Sequence, residues 1–212
     1  MSVKTTGCGQ CRQAGEKLFL KGARCRTSKC AVDKRGITPG QHGKKATARK
    51  LSEYGKQLRE KQKIRRTYGV GESQFRRFFG LATRQKGGTG EILLTMLERR
   101  LDNVVFRLKM ASSRTQSRQM IVHGHVLVNG GVVSSPSFLV KVGDVVTLAA
   151  RTVAKSEFVK NVIDKRMNIG IKVPEWLILE KKDRRGEVVR FPERSEISSS
   201  IEEHLVVELY SK

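Results

Sequence analysis

Residues 97–130, LERRLDNVVFRLKMASSRTQSRQMIVHGHVLVNG, limit the fold more than any other stretch of the chain. Leu97, Leu101, Val104, Val105 and Leu108 recur at helical spacing and predict one amphipathic helix. Ser112 and Ser113 offer an N-cap for a second helix with Met120 and Ile121 inward, and Gly124 is placed to end it in a left-handed cap. Val126 and Val128 then alternate as a strand, and Asn129-Gly130 is a strong hairpin signal. Two helices followed at once by a hairpin predict an α+β module with a small, mainly antiparallel sheet. Facing outward are Arg99, Arg100, Arg114, Gln116, Arg118, Gln119, His123 and His125, with Glu98 and Asp102 the only acids nearby. Hydrogen-bond donors and positive charge gathered on one surface are the chemistry that grips phosphates.

Charge is the second constraint. The 212 residues carry a net charge of +23, of which +17 falls in residues 1–95, +4 in 96–150 and +2 in 151–212. So lopsided a distribution points to a polyanionic partner, with nucleic acid the foremost case. A membrane surface would call for a basic amphipathic helix with Trp, Phe and Leu opposite, yet the one tryptophan, Trp176, lies far from the basic region. No apolar run approaches the ~18 residues of a spanning helix and no signal-peptide core follows Met1, so an intracellular protein is expected.

The densest basic segment is 44–68, with ten Lys/Arg against Glu53 and Glu60. Leu51, Tyr54, Leu58 and Ile64 give it a thin apolar stripe, and Lys56, Arg59, Lys61, Lys63, Arg65 and Arg66 make the rest a phosphate-contact face. A helix over 72–82 follows, with Phe75, Phe78 and Phe79 as core and Arg76 and Arg77 as contact candidates. Gly87-Gly88-Thr89-Gly90 lacks the Lys-Ser/Thr of a P-loop, and Thr89 is better placed as a helix N-cap. Short strands are expected at 132–133, 138–140, 145–148 and 176–178. A helix is expected over 151–170 with Phe158, Val162 and Ile163 inward. Residues 201–210 read equally as helix or strand.

All four cysteines lie near the start, as Cys8-x2-Cys11 and Cys25-x4-Cys30. Two close thiol pairs joined by a short connection suit a tetrahedral structural Zn2+ site, with Lys4, Arg12, Lys17, Lys21, Arg24, Arg26 and Lys29 around it to favour thiolates. Four unliganded thiols are the alternative. Pro39-Gly40-Gln41-His42-Gly43 follows as a turn-rich connector, either an ordinary loop or one whose glycines admit a phosphate backbone.

These stretches together resemble the family of bacterial-type small-subunit ribosomal protein four. The resemblance rests on Cys8-x2-Cys11, KLFLKG (17–22), PGQHG (39–43), SEYG (52–55), QLREKQK (57–63), LERRLDNVV (97–105) and VNG (128–130), in order and nearly end to end. Residues 97–130 resemble the alpha-L RNA-binding motif. The resemblance implies a zinc-bearing N-terminal arm (1–45) and a basic helical domain (46–95), with the C-terminal segment 198–212 a candidate addition to it. An alpha-L domain with its following sheet (96–197) completes the chain. It implies a primary binder of small-subunit rRNA that nucleates assembly of the subunit body. It also implies a neighbour in small-subunit protein five, affecting decoding accuracy, and a place beside the channel that admits messenger RNA. The RNA contacts it implies are Gln41, His42, Tyr54, Lys56, Arg59, Lys61, Arg99, Arg100, Arg114, Arg118, Gln119, His123 and His125.

Two rivals share the module. Pseudouridine synthases carry a catalytic Arg-Leu-Asp, matched in letters by Arg100-Leu101-Asp102, but only about 60 residues follow the motif, too few for their catalytic domain. No catalytic residue is therefore expected. Free-standing regulatory RNA binders are little more than the module, and the long basic N-terminal half argues against them.

Overall fold

The computed structural model describes residues 7–41, 43, 51–170, 172–197 and 200–211. The chain divides into two compact units, Met1–Arg77 with Ser200–Lys212, and Phe78–Ser199. The division falls inside a helix and not at residues 95/96. The cysteine-bearing arm joins the basic helices in one unit.

In the first unit, helix α1 (Gly7–Ala14), a 3-10 turn (Gly22–Arg26) and the short α2 (Ala31–Lys34) carry the cysteines. Helix α3 (Glu53–Tyr68) starts at Ser52, whose hydroxyl accepts the Gly55 amide. It ends at Gly69 in the left-handed conformation, φ 65°, where a side chain would be strained. Its inner face is Gln57, Glu60, Ile64 and Tyr68; of the expected stripe Leu51–Tyr54–Leu58–Ile64 only Ile64 is fully buried, and Tyr54 is 60% exposed. The reason is the C-terminal helix α11 (Glu203–Ser211), which packs along α3 and supplies polar partners for that face. Gln57 donates to Glu208 at 2.9 Å, and the Glu202 amide donates to Glu60 at 3.4 Å. Helix α4 (Glu72–Ala82) has the bounds the sequence predicts, with all three phenylalanines buried. Phe75 meets the Tyr210 ring at 6.2 Å.

The second unit builds helices α5 (Thr89–Glu98), α6 (Leu101–Arg107) and α7 (Arg114–Val122) against a five-stranded antiparallel sheet of order β2-β1-β3-β5-β4. The strands are β1 (Val126–Val128), β2 (Gly131–Val132), β3 (Val145–Leu148), β4 (Leu177–Glu180) and β5 (Arg185–Val188). Between β3 and β4 lie α8 (Ala150–Val153), α9 (Ser156–Phe158), a π-helical stretch (Val159–Asp164) and α10 (Lys165–Met167). One core joins Leu101, Val104, Val105 and Leu108 to Met120, Ile121, Val126, Val146, Ile163, Trp176 and Val188. The α+β class with a small antiparallel sheet is as expected.

Four local expectations change. The helix predicted across 97–108 breaks at Arg99 and Arg100, because Arg100 turns extended and bridges Leu139. The Arg99 carbonyl accepts from Val140 at 3.0 Å and the Leu101 amide donates to Phe138 at 2.8 Å, so 138–140 serves the break and forms no strand of the sheet. Helix α5 is capped by the Gly88 backbone, one residue before Thr89. The 151–170 helix is a chain of short pieces, and the side chains it buries most deeply include Val159, Ile163 and Met167.

The hairpin and the α7 terminus form as the sequence predicts. Asn129 and Gly130 both take positive φ, 51° and 80°, the turn whose twist matches the paired strands. The Ser113 hydroxyl accepts the Gln116 amide at 3.2 Å. Gly124 (φ 64°) donates to Ile121 and His125 to Met120, both at 2.8 Å, which completes a Schellman cap.

Candidate nucleic-acid interface

The expected contact residues fall into two sets, one in each unit, and differ in what already holds them. In the first unit Arg59, Arg76 and Arg77 are exposed, and among the described residues none has an ion-pair partner. Lys56 is exposed and pairs with Glu53 at 2.7 Å. Lys61 and Arg65 both bind Glu72, at 2.9 and 2.6 Å, and Lys61 also lies 5.6 Å from the Tyr210 ring centroid. Lys63 bridges Glu60 at 2.6 Å and Glu16 at 3.1 Å and also donates to the Ser200 carbonyl. These three cations chiefly hold the fold and have little freedom to follow an RNA backbone. Arg66 is half-buried; burial, and then the neighbouring Arg65, press its pKa down. With Lys56, Arg59 and Lys63 it lines a groove of about 410 Å3 between α1, α3 and α11. Gln41 is exposed, and His42 lies outside the described residues. Gly43 is needed for a close approach, but to the Thr38 carbonyl: a Cβ there would overlap it.

Glu72 shows how this cluster is balanced. Burial pushes its carboxyl up, yet hydrogen bonds from Lys61 and Tyr210 and the charges of Lys61 and Arg65 hold it below its ordinary value.

In the second unit the arginines divide sharply. Arg100 has no solvent exposure and is removed from any surface. It makes a two-pronged pair with Asp102, Nε–Oδ1 at 3.1 Å and Nη2–Oδ2 at 2.6 Å, beside the Phe78 ring. The expected role for Arg100 as an outward contact is thus corrected. The extended turn at the helix break buries the side chain, and a buried guanidinium needs its carboxylate. The same burial seals Asp102 from substrate, so the Arg-Leu-Asp letters do not assemble a catalytic site. Arg99 is half-buried over Phe191 and donates to the Val140 carbonyl at 3.1 Å. Burial lowers its pKa, against the pull of Asp144. Arg114 donates to Asn103 at 2.8 Å. Asn103 in turn donates to the buried Glu98, which Arg107 grips at 2.6 and 3.0 Å, and this network locks α5, α6 and α7 together.

Arg118, Gln119 and His123 are exposed. Gln119, His123 and His125 come together in a groove of about 240 Å3 with Gln116, Met120, Thr152, Lys155 and Phe158. His125 Nδ1 lies 2.9 Å from Thr152 Oγ1. Burial, then Lys155, Arg151 and His123, lower the His125 pKa, which keeps the ring neutral near neutral pH. Thr152, Lys155 and Phe158 are not among the expected contacts, since they lie more than 20 residues beyond the motif with no local pattern linking them to it. Arg151 joins the two segments in the fold: it donates to the His123 and Gly124 carbonyls at 2.5 and 2.6 Å, closing the carbonyl end of α7.

The four cysteines line one small cavity of about 10 Å3, together with Leu20, Lys21 and Arg24. That is about the room one water-sized body needs. Lys21 donates its amide to Cys25 Sγ at 3.2 Å. Burial pushes the Cys11 thiol up, opposed by amides of Leu18 and Leu20. A four-thiol donor set around one small space fits a soft tetrahedral ion. Among the described residues, however, no group of three or more His, Cys, Asp or Glu has metal-holding geometry as it stands. No helix of the described residues is long and apolar enough to cross a membrane.

Comparison with known proteins matches residues 3–98 to the family described as Ribosomal protein S4/S9 N-terminal domain, and residues 99–146 to the S4 domain. The junction of the two matches coincides with the helix break at Arg99. A protein of Natranaerobius thermophilus named small ribosomal subunit protein uS4 is 52% identical over 207 residues, 97% of this chain and 96% of the relative. A protein of the same name from Thermoanaerobacter pseudethanolicus is 53% identical over 205 residues, and small ribosomal subunit protein uS4A of Alkaliphilus metalliredigens is 51% identical over 205. Coverage is again 97% of this chain and 96% of the relative in both. An unbroken likeness of this extent makes the chain a member of the uS4 family of small-ribosomal-subunit proteins.

Proposed function

We propose that this protein is a structural constituent of the small ribosomal subunit and binds small-subunit rRNA, with no catalytic role. One observation carries the reading: the likeness to proteins named small ribosomal subunit protein uS4 runs over 97% of the chain. The arrangement of charge supports it. Arg59, Arg76, Arg77 and Arg118 stand exposed to meet phosphates, and each phosphate neutralised releases counterions. The networks of Glu98, Asn103, Arg107 and Arg114 and of Arg100 with Asp102 hold the second unit rigid, so its surface presents a fixed shape to a folded RNA junction.

Within that role, the protein is a primary binder that nucleates assembly of the subunit body. It neighbours small-subunit protein five, with an influence on decoding accuracy, and lies beside the channel that admits messenger RNA, in cytoplasmic ribosomes. Cys8, Cys11, Cys25 and Cys30 would hold a structural Zn2+, which cross-links the arm when bound. The chain's own contribution is to gather four thiols around one space and to aim the Lys21 amide at Cys25.

Co-sedimentation with small subunits through a high-salt wash tests the assignment. Retention on the particle is expected, and complete release into the soluble pool would overturn it. For the arm, a chelator should make residues 1–45 protease-sensitive; unchanged resistance would mean that the cysteines hold no structural ion.

A further inference from the structure

The groove lined by Gln116, Gln119, Met120, His123, His125, Thr152, Lys155 and Phe158 differs in kind from the basic surfaces. At about 240 Å3 it falls below the ~300–1,000 Å3 of drug-sized ligand sites and suits one planar ring. Lys155 is its only fixed charge and no carboxylate lines it, whereas the first unit's groove has Lys56, Arg59, Lys63 and Arg66 on its walls. The remaining lining is an aromatic ring, a thioether, two amides, a hydroxyl and two imidazoles. That set stacks on and hydrogen-bonds a flat heterocycle better than it neutralises a phosphate.

The two walls are also fastened to each other before any ligand arrives. Arg151 ties α8 to the end of α7 through the His123 and Gly124 carbonyls, and His125 meets Thr152. A Cβ at Gly124 would overlap the Arg151 guanidinium, so this closure depends on that glycine. With Nδ1 taken by Thr152, Nε2 is the His125 ring's remaining polar position, and the Gln119 side chain has no hydrogen-bond partner among the described residues. A preformed site loses little conformational entropy on binding.

We propose that this groove receives a single unpaired nucleotide of the bound RNA, its base set against Phe158 and Met120 and read by Gln119 and the His125 Nε2. The inference rests on the RNA-binding reading and deepens it: the second unit recognises one splayed base as well as a shape.

The test uses the full-length protein and the RNA recovered with it after crosslinking in cells. Gln119→Ala and Phe158→Leu should each weaken binding about tenfold, the usual scale for loss of a base contact. The slope of log K against log salt should stay unchanged, because neither substitution removes a charge. Gln119 is exposed, so its substitution is readable even if Phe158→Leu disturbs the fold. Ultraviolet crosslinking should join one unpaired nucleotide to a peptide containing His125 or Phe158. Wild-type affinity in Gln119→Ala, or crosslinking that joins no nucleotide to a peptide lining this groove, would overturn the proposal. Failure of the wild-type chain to bind RNA would instead remove the reading beneath it.

Discussion

The two units spend their charge differently. Met1–Arg77 with Ser200–Lys212 holds 22 Lys/Arg against 8 Asp/Glu, a net of +14, and Phe78–Ser199 holds 21 against 12, a net of +9. In the first, Glu72 of α4 ties down Lys61 and Arg65 while Glu60 of α3 and Glu16 hold Lys63, and exposed arginines with no ion-pair partner among the described residues remain outside. In the second, the charged groups with the strongest partners are interior, with Arg100 and Asp102 fully enclosed and Glu98 buried beneath Arg107. Net charge therefore misleads as a map of where RNA is gripped. A buried arginine counts toward the total and touches nothing outside, and we propose that the first unit supplies most of the electrostatic hold and the second a fixed shape.

That contrast can be broken most severely at Asp102. Asp102→Ala leaves the Arg100 guanidinium buried without its carboxylate and should cost the second unit about 3–5 kcal/mol, read as a fall in denaturation midpoint. Hydrogen exchange in α3 should hardly change; equal loss there would deny that the units are separately stabilised. Next comes Gly186→Ala in β5, where a Cβ would overlap the buried Leu108 side chain. Overpacking of that kind should cost about 1–3 kcal/mol by chemical denaturation.

Acid gives smaller effects that should separate the units in order. His125 is held below its ordinary value of 6.5 in the folded chain, so the unfolded chain takes up its proton first. Its contribution is complete above 6.5 and is lost as pH falls through the lower folded value. Glu72 is held below 4.5 by the Lys61–Arg65–Tyr210 cluster, and the stability it lends the first unit is present above 4.5 and disappears at more acidic pH. Residue-resolved exchange on lowering pH should show the α7–α8 region loosening before the α4–α11 contact. The reverse order would mean that other groups control the acid response.

Much of the fold was legible because its signals are local. Phe75, Phe78 and Phe79 set the face of α4, Ser113 and Gly124 cap α7, and Asn129-Gly130 turns the hairpin, each through neighbours within a few residues. What escaped depends on distant partners. The inner face of α3 can include Gln57 because Glu208 arrives 151 residues later to meet it. The break at Arg100 needs Phe138 and Leu139, and without them 97–108 reads as one helix. The candidate interface divides the same way. Arg118 and Gln119 are outward as their helical spacing requires, Arg100 is hidden by a break the spacing does not announce, and Thr152, Lys155 and Phe158 join the groove only through the fold.

The central claim is that the first unit's exposed arginines supply the electrostatic hold on rRNA, and it is tested most directly by the salt dependence of binding. With about ten phosphates engaged, the wild-type slope of log K against log salt should lie near about −7 to −9. Replacing Arg59, Arg76 and Arg77 together by alanine should make it shallower by about 2–3 while leaving the fold intact. A wild-type slope shallower than about −3, or a triple variant with an unchanged slope, would contradict the account.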